Sequence, residues 1–132
     1  MIKKLMFCAA MAASCLAGPG AGYAQQPDPI KRTIVQRVDF PGDTMATLLV
    51  MIEVVPDGLV ARHTHPGAEL GYVTDGAMEL TIGNQPPKMF KQGESYMIPV
   101  GVPHSLKAGP AGVKLVGTFV VEKDKPLAAL AP

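Results

Sequence analysis

Cysteine is all but missing from this chain of 132 residues. Its two copies, Cys8 and Cys15, both fall in the first 24 residues, which have the layout of an export leader. The remainder has no thiol, so it can form no disulfide and can offer a metal ion only nitrogen and oxygen. An excess of charge of either sign is missing too: 12 Lys and Arg stand against 11 Asp and Glu, a formal +1. Two of those basic residues, Lys3 and Lys4, lie in the leader, and without them the balance is −1. Nothing in it points to nucleic acid or an anionic surface as a partner. Long apolar runs are absent as well. Leu5 to Leu16 is shorter than a membrane span requires, and after it no helical repeat of apolar positions persists.

The leader is read from its order. Lys3-Lys4 precedes the apolar run, and Gly22-Tyr23-Ala24 before Gln25 puts small residues at the −3 and −1 positions of a signal-peptidase site. Residues 1–24 are therefore expected to be a signal peptide cleaved near Ala24, which leaves a periplasmic or secreted chain of about 108 residues with no membrane in its mature form. Ala12-Ala13-Ser14-Cys15 also resembles a lipoprotein box, with Ala12 where Leu is usual; in that alternative Cys15 would carry a lipid.

What the chain does have is a series of short runs with strand composition. After a lead-in over residues 25–32 that contains Pro27 and Pro29, they are Thr33 to Val38, Thr44 to Val55, Leu59 to His65, Glu69 to Thr74, Ala77 to Ile82, Lys88 to Lys91, Ser95 to Pro99, His104 to Lys107 and Val113 to Val121. Gly, Pro or Asx punctuates nearly every boundary. Asp75-Gly76 and Gly83-Asn84 have the composition of tight hairpin turns, and the pair Pro86-Pro87 suits a loop or an edge. Many short strands at regular spacing imply an all-β antiparallel sandwich or barrel, and about eight of them suit a jelly roll. One domain is expected over residues 33–123, followed by a Pro/Ala/Leu-rich tail, 124–132, that packs on the outside or stays mobile.

Histidine is scarce, and its placement is informative. All three copies lie in two stretches, Gly58 to Gly76 and Gly93 to His104. In an extended segment His63 and His65 project to the same face, roughly 6–7 Å apart, close enough to lean onto one ion. Pro66-Gly67 then breaks the strand and lets Glu69 return toward the same point. A lone His is more often an ordinary core or surface residue; His-x-His with a trailing Glu and a distant His in an all-strand chain points to metal ligation.

The spacings Gly-x4-His-x-His-x3-Glu-x6-Gly, from Gly58 to Gly76, and Gly-x5-Pro-x-Gly-x2-His, from Gly93 to His104, resemble the two motifs of the cupins. The family form has five residues before the first His, where this chain has four, and closes the second motif with Asn, where this chain has Ala108. Neither departure removes a ligand, although Ala108 removes a side chain that would brace the strand beyond His104. The resemblance implies a jelly-roll (double-stranded β-helix) barrel, a metal held by His63, His65, Glu69 and His104, and a homodimer, for which Thr33 to Val38 is an apolar edge that needs covering.

Three imidazoles and a carboxylate fill four positions of a six-coordinate divalent ion and leave two adjacent ones open. Mixed nitrogen and oxygen ligation suits Fe, Mn, Ni, Cu or Zn, and the open octahedral site favours Fe or Mn. Met51, Glu53, Tyr72, Met97 and Phe119 are candidates for a pocket wall, although such residues on strands are usually plain core or solvated. The function expected is a mononuclear metal enzyme, dioxygenase-like or an isomerase, acting on a small oxygen-rich substrate, with Glu69 as the catalytic proton acceptor. The alternative is a non-catalytic module that holds a small ligand. A regulator with a DNA-binding helix-turn-helix is not expected, because export would remove its target.

Overall fold

Alternating β-branched and aromatic residues, interrupted by Gly and Pro, form eight strands in residues 28–132, the part of the chain that the computed structural model describes. The expected leader and the lipoprotein box lie outside the described residues. The strands are β1 (Ile30–Val38), β2 (Met45–Val54), β3 (Leu59–Thr64), β4 (Gly67–Ile82), β5 (Lys88–Lys91), β6 (Ser95–Ile98), β7 (His104–Glu122) and β8 (Ala129–Leu130). No helix occurs among the described residues. Every pairing is antiparallel, in the order β1-β2-β7-β3-β8, with β4 joining β7 to β5 and β6. The architecture is the expected all-β antiparallel jelly-roll barrel.

The two long strands are where the sequence reading and the structure part. The runs Glu69 to Thr74 and Ala77 to Ile82 belong to one strand, β4, and the runs His104 to Lys107 and Val113 to Val121 belong to β7. Asp75-Gly76 is not a hairpin turn. It is a kink within β4, where the pairing with β7 shifts register between Val73 and Asp75 and again between Gly76 and Met78. Gly76 takes a positive φ of 76° there, and a Cβ on it would sit 2.2 Å from the carbonyl oxygen of Gly112, so the kinked strands touch backbone to backbone. A bulge and a primed turn both ask for Asx-Gly, which is why composition alone does not separate them. Gly83, also at positive φ, does begin the loop to β5.

The core follows a strict parity. In β2 the even residues Ala46, Leu48, Val50, Ile52 and Val54 are buried and the odd ones face outward, and Val73, Met78, Leu80, Ile98, Leu106, Leu115, Phe119 and Val121 complete the interior. Burying one such side chain contributes about 1.5–3 kcal/mol, and with no disulfide in residues 28–132 this interior carries the fold. The strand β1 starts at Ile30, within the stretch expected as lead-in, and the tail ends in β8, whose Leu130 pairs with His63.

Candidate metal centre

The donors converge because three backbone elements meet at one end of the barrel. His63 lies near the end of β3, directly opposite His104 at the start of β7. His65 lies between β3 and the bend at Pro66, and Glu69 follows on β4, in register with Ile98 of β6 and Phe119 of β7. All four side chains are buried among apolar neighbours. Ligand nitrogens of the three histidines lie within 4.8 Å of one another. Ring centroids are 4.2 Å apart for His63 and His104 and 4.9 Å for each of the other pairs. The Oε2 of Glu69 is 3.1 Å from His65 Nε2 and 3.6 Å from His104 Nε2.

The protons on these rings can be assigned. His63 Nδ1 faces the carbonyl of Ala61 at 2.8 Å, His104 Nδ1 that of Val102 at 3.0 Å, and His65 Nδ1 that of Leu127. A carbonyl oxygen only accepts, so each Nδ1 carries the proton and donates it. Each Nε2 of a neutral ring then presents a lone pair to the shared space. A lone pair facing a carboxylate at this range is repulsive unless a proton or a cation lies between them. Burial lowers the pKa of His63, and lowers that of His104 to about 4, so these two rings are neutral at neutral pH. One divalent cation satisfies all four groups at once, and the set of three imidazoles and a carboxylate suits it.

Tyr96 completes the arrangement, and it was not foreseen. Its hydroxyl donates to Glu69 Oε1 at 2.8 Å. Burial and then the charge of Glu69 push the phenol well above its usual value, so it stays a donor. Burial would raise the Glu69 carboxyl, but the neighbouring His65 and His104 imidazoles and the hydrogen bond from Tyr96 outweigh it and hold the pKa below the ordinary value. The ring of Tyr96 lies over Gly71, where an added Cβ would come within 2.1 Å of it, and meets Phe90 edge to face at 5.7 Å. Phe119 packs edge-on against His65 at 5.0 Å.

Of the expected wall residues, Phe119 lines the cavity with the donors, a space of about 30 Å³. Met51, Glu53, Tyr72 and Met97 do not line it; they stand exposed on the outer faces of their strands. Parity is the reason. Met51 and Glu53 alternate with buried Val50, Ile52 and Val54, Tyr72 is three residues from inward Glu69, and Met97 lies between inward Tyr96 and Ile98. That signal was present in the sequence: Glu53 and Thr47 mark the odd face of β2 as the wet one. The cavity wall is instead supplied by Ile52, Val60, Leu80, Leu106 and Leu115, with one cationic side chain, Arg32. Leu127 was also missed, since no side-chain pattern announces a backbone carbonyl. At Ala108, where the resembled motif has Asn, the structure has a buried core residue, and His104 is braced by the Val102 carbonyl.

Residues 37–121 match the Cupin_2 cupin domain model, and the chain belongs to the cupin domain family. A stretch of 74 residues is 35% identical to the HTH-type transcriptional regulator PuuR of Escherichia coli, covering 54% of this chain and 40% of that protein. The chain thus spans under half the length of the curated relatives it matches. Among solved structures, KdgF from Halomonas sp. superposes with a TM-score of 0.62 at 20% identity, covering 76% of this chain and 86% of that one. DMSP lyase DddQ from Ruegeria pomeroyi superposes with a TM-score of 0.63 at 19% identity, covering 79% and 52%. These likenesses concern the fold.

Proposed function

We propose that this chain is an exported, mononuclear metal-dependent cupin enzyme that acts on a small oxygen-rich substrate by dioxygenase-like or isomerase chemistry. One observation carries the reading: three buried imidazoles, each with its Nδ1 proton committed to a carbonyl, turn their Nε2 lone pairs toward a shared point that Glu69 also approaches. His63, His65, His104 and Glu69 would hold the ion, Fe or Mn in preference to Ni, Cu or Zn. When bound, such an ion supplies Lewis acidity and, if redox-active, a route for electrons to dioxygen. The protein residues do the rest. Tyr96 fixes the orientation of Glu69, which is the carboxylate placed to accept a substrate proton. The wall of Ile52, Val60, Leu80, Leu106, Leu115 and Phe119 excludes bulk water from it.

That DddQ is a DMSP lyase is compatible with an enzyme on this fold, but the fold hosts many chemistries, so the reading rests on the donor set. A non-catalytic ligand-binding module is the second reading. It is favoured by the match to a transcriptional regulator, and by Glu69 being the one carboxylate among the cavity-lining residues, already engaged by Tyr96. Oxygen uptake by Fe- or Mn-loaded protein with a panel of enediols, hydroxyketones and dicarboxylates separates the two. Uptake that His104→Ala abolishes supports the enzyme; ligands that raise the melting temperature with no uptake and no product leave the binding module standing.

A homodimer belongs to the same reading. Its support is an outer sheet face where Leu49, Thr118, Leu70 and Met97 follow one another across neighbouring strands, beside Met51, Val116 and Tyr72, with the large members of both rows exposed.

A further inference from the structure

One strand position is chemically out of place. In β1 every residue from Thr33 to Val38 is exposed, while Ile30 and Arg32 are partly buried. The register explains their direction: Ile30 pairs with Val54 and Arg32 with Ile52, both interior residues, so these two side chains lie over the mouth of the barrel. An apolar residue would suit position 32, and an edge strand gives an arginine every opportunity to reach water. Instead Arg32 lines the cavity that holds the histidines, and its Nε is buried with no hydrogen-bond partner among the described residues. The guanidinium makes no ion pair among them either; the acids that do pair are Asp39 and Glu122 with other cations and Glu69 with the imidazoles. A buried, unmatched guanidinium N–H destabilises a fold unless something else is gained.

A second observation indicates what is gained. The small inner cavity adjoins a wider recess of about 270 Å³, and the two share Ile30, Arg32, Val60 and His63. A molecule reaching the histidines from this recess passes Arg32. The guanidinium presents paired N–H donors in a planar fork that matches a carboxylate, which a point-charge ammonium would not.

We propose that Arg32 is the anion-recognition residue of this site, and that the ligand is a short carboxylate bearing a second oxygen close by, its carboxylate on Arg32 and its second oxygen turned toward His63, His65, His104 and Glu69. The inner space admits only the oxygen-bearing end, and the rest of the molecule occupies the recess beside Leu59 and Leu130. The inference rests on the metal-site reading for where the second oxygen goes, but not for the role of Arg32.

The test is calorimetric binding of glycolate, pyruvate and malonate, with neutral hydroxyacetone for comparison, to Mn(II)-loaded and to metal-free protein. Wild type binds the carboxylates more tightly than hydroxyacetone. Arg32→Met and Arg32→Gln weaken carboxylate binding about tenfold or more, Arg32→Lys weakens it less, and all three leave the metal content and hydroxyacetone affinity unchanged within about twofold. Ligand-free Arg32→Met melts at or above wild type, because it removes a buried, unmatched Nε–H, whereas an arginine kept for the fold would lower the melting temperature on removal. Carboxylate affinity equal in Arg32→Met and wild type overturns the proposal, as does no carboxylate binding to wild type, or a clear loss of melting temperature in Arg32→Met. A protein that takes up no metal yet binds carboxylates through Arg32 sinks the metal-enzyme reading and leaves this one standing.

Discussion

At the residue scale the imidazoles do not contribute equally with the carboxylate. Removing one Nε2 leaves too few strong donors, while water can stand in for a carboxylate oxygen. His63→Ala, His65→Ala and His104→Ala should each abolish stoichiometric metal, and Glu69→Ala should only weaken it; elemental analysis after dialysis distinguishes them. Burial sets the pH response. The pKa values of His63 and His104 are depressed from 6.5, that of His104 to about 4, so in the metal-free protein the unfolded chain binds protons that the folded one refuses. Stability contributed by these neutral rings is complete above about 6.5 and is lost as pH falls toward the folded values. The melting temperature of metal-free protein should therefore fall between pH 6.5 and about 4, and a His104→Asn variant should show a shallower fall. At this scale the ligands were legible in the sequence, because His-x-His-x3-Glu carries its own spacing. Tyr96 and Arg32 were not, because a tyrosine or arginine in a strand is common and only register shows which way it points.

At the element scale the site depends on pieces far from the histidines in sequence. The tail supplies the Leu127 carbonyl to His65 Nδ1, pairs β8 with β3, and receives Arg62 Nε on the Pro132 carbonyl at 3.2 Å. A chain ending at Lys125 should keep its barrel, since the interior named above ends at Val121, but lose metal affinity by about 10–100-fold, the range for removing a partner behind a metal ligand. Unchanged affinity in a competition titration would show that His65 needs no such brace. Gly71 tests the opposite side. A Cβ there would meet the Tyr96 ring at 2.1 Å, so Gly71→Ala should displace the phenol from Glu69 and destabilise the fold by about 1–3 kcal/mol, read by denaturant titration. Strand existence was legible from β-branched runs and Gly/Pro punctuation; strand continuity was not, because the kink at Asp75-Gly76 uses turn residues. The inward face of β2 was half legible: Thr47 and Glu53 mark the wet face, but outward Leu49 and Met51 blur the alternation with Leu48, Val50 and Ile52.

At the scale of the whole molecule, an apolar interior built by β2, β4 and β7 encloses a polar end, and the two are coupled. Buried imidazoles and a buried carboxylate oppose folding when they face one another without a cation, so an ion that binds only the folded chain should raise its melting temperature in proportion to the logarithm of excess metal. Sedimentation of the protein should report a dimer that charge introduced at Leu70 or Met97 weakens, with the metal content unaffected. The chain recovered from an exported fraction should begin at Gln25 by intact mass; Met1 or a lipid on Cys15 would overturn that expectation. The measurement that bears most directly on the account is metal per chain in protein isolated from its own host and after reconstitution with Fe, Mn, Ni, Cu and Zn. One tightly held divalent ion per chain, absent from His104→Ala, is the predicted result; a folded wild-type protein that stays metal-free with every one of those ions would contradict it.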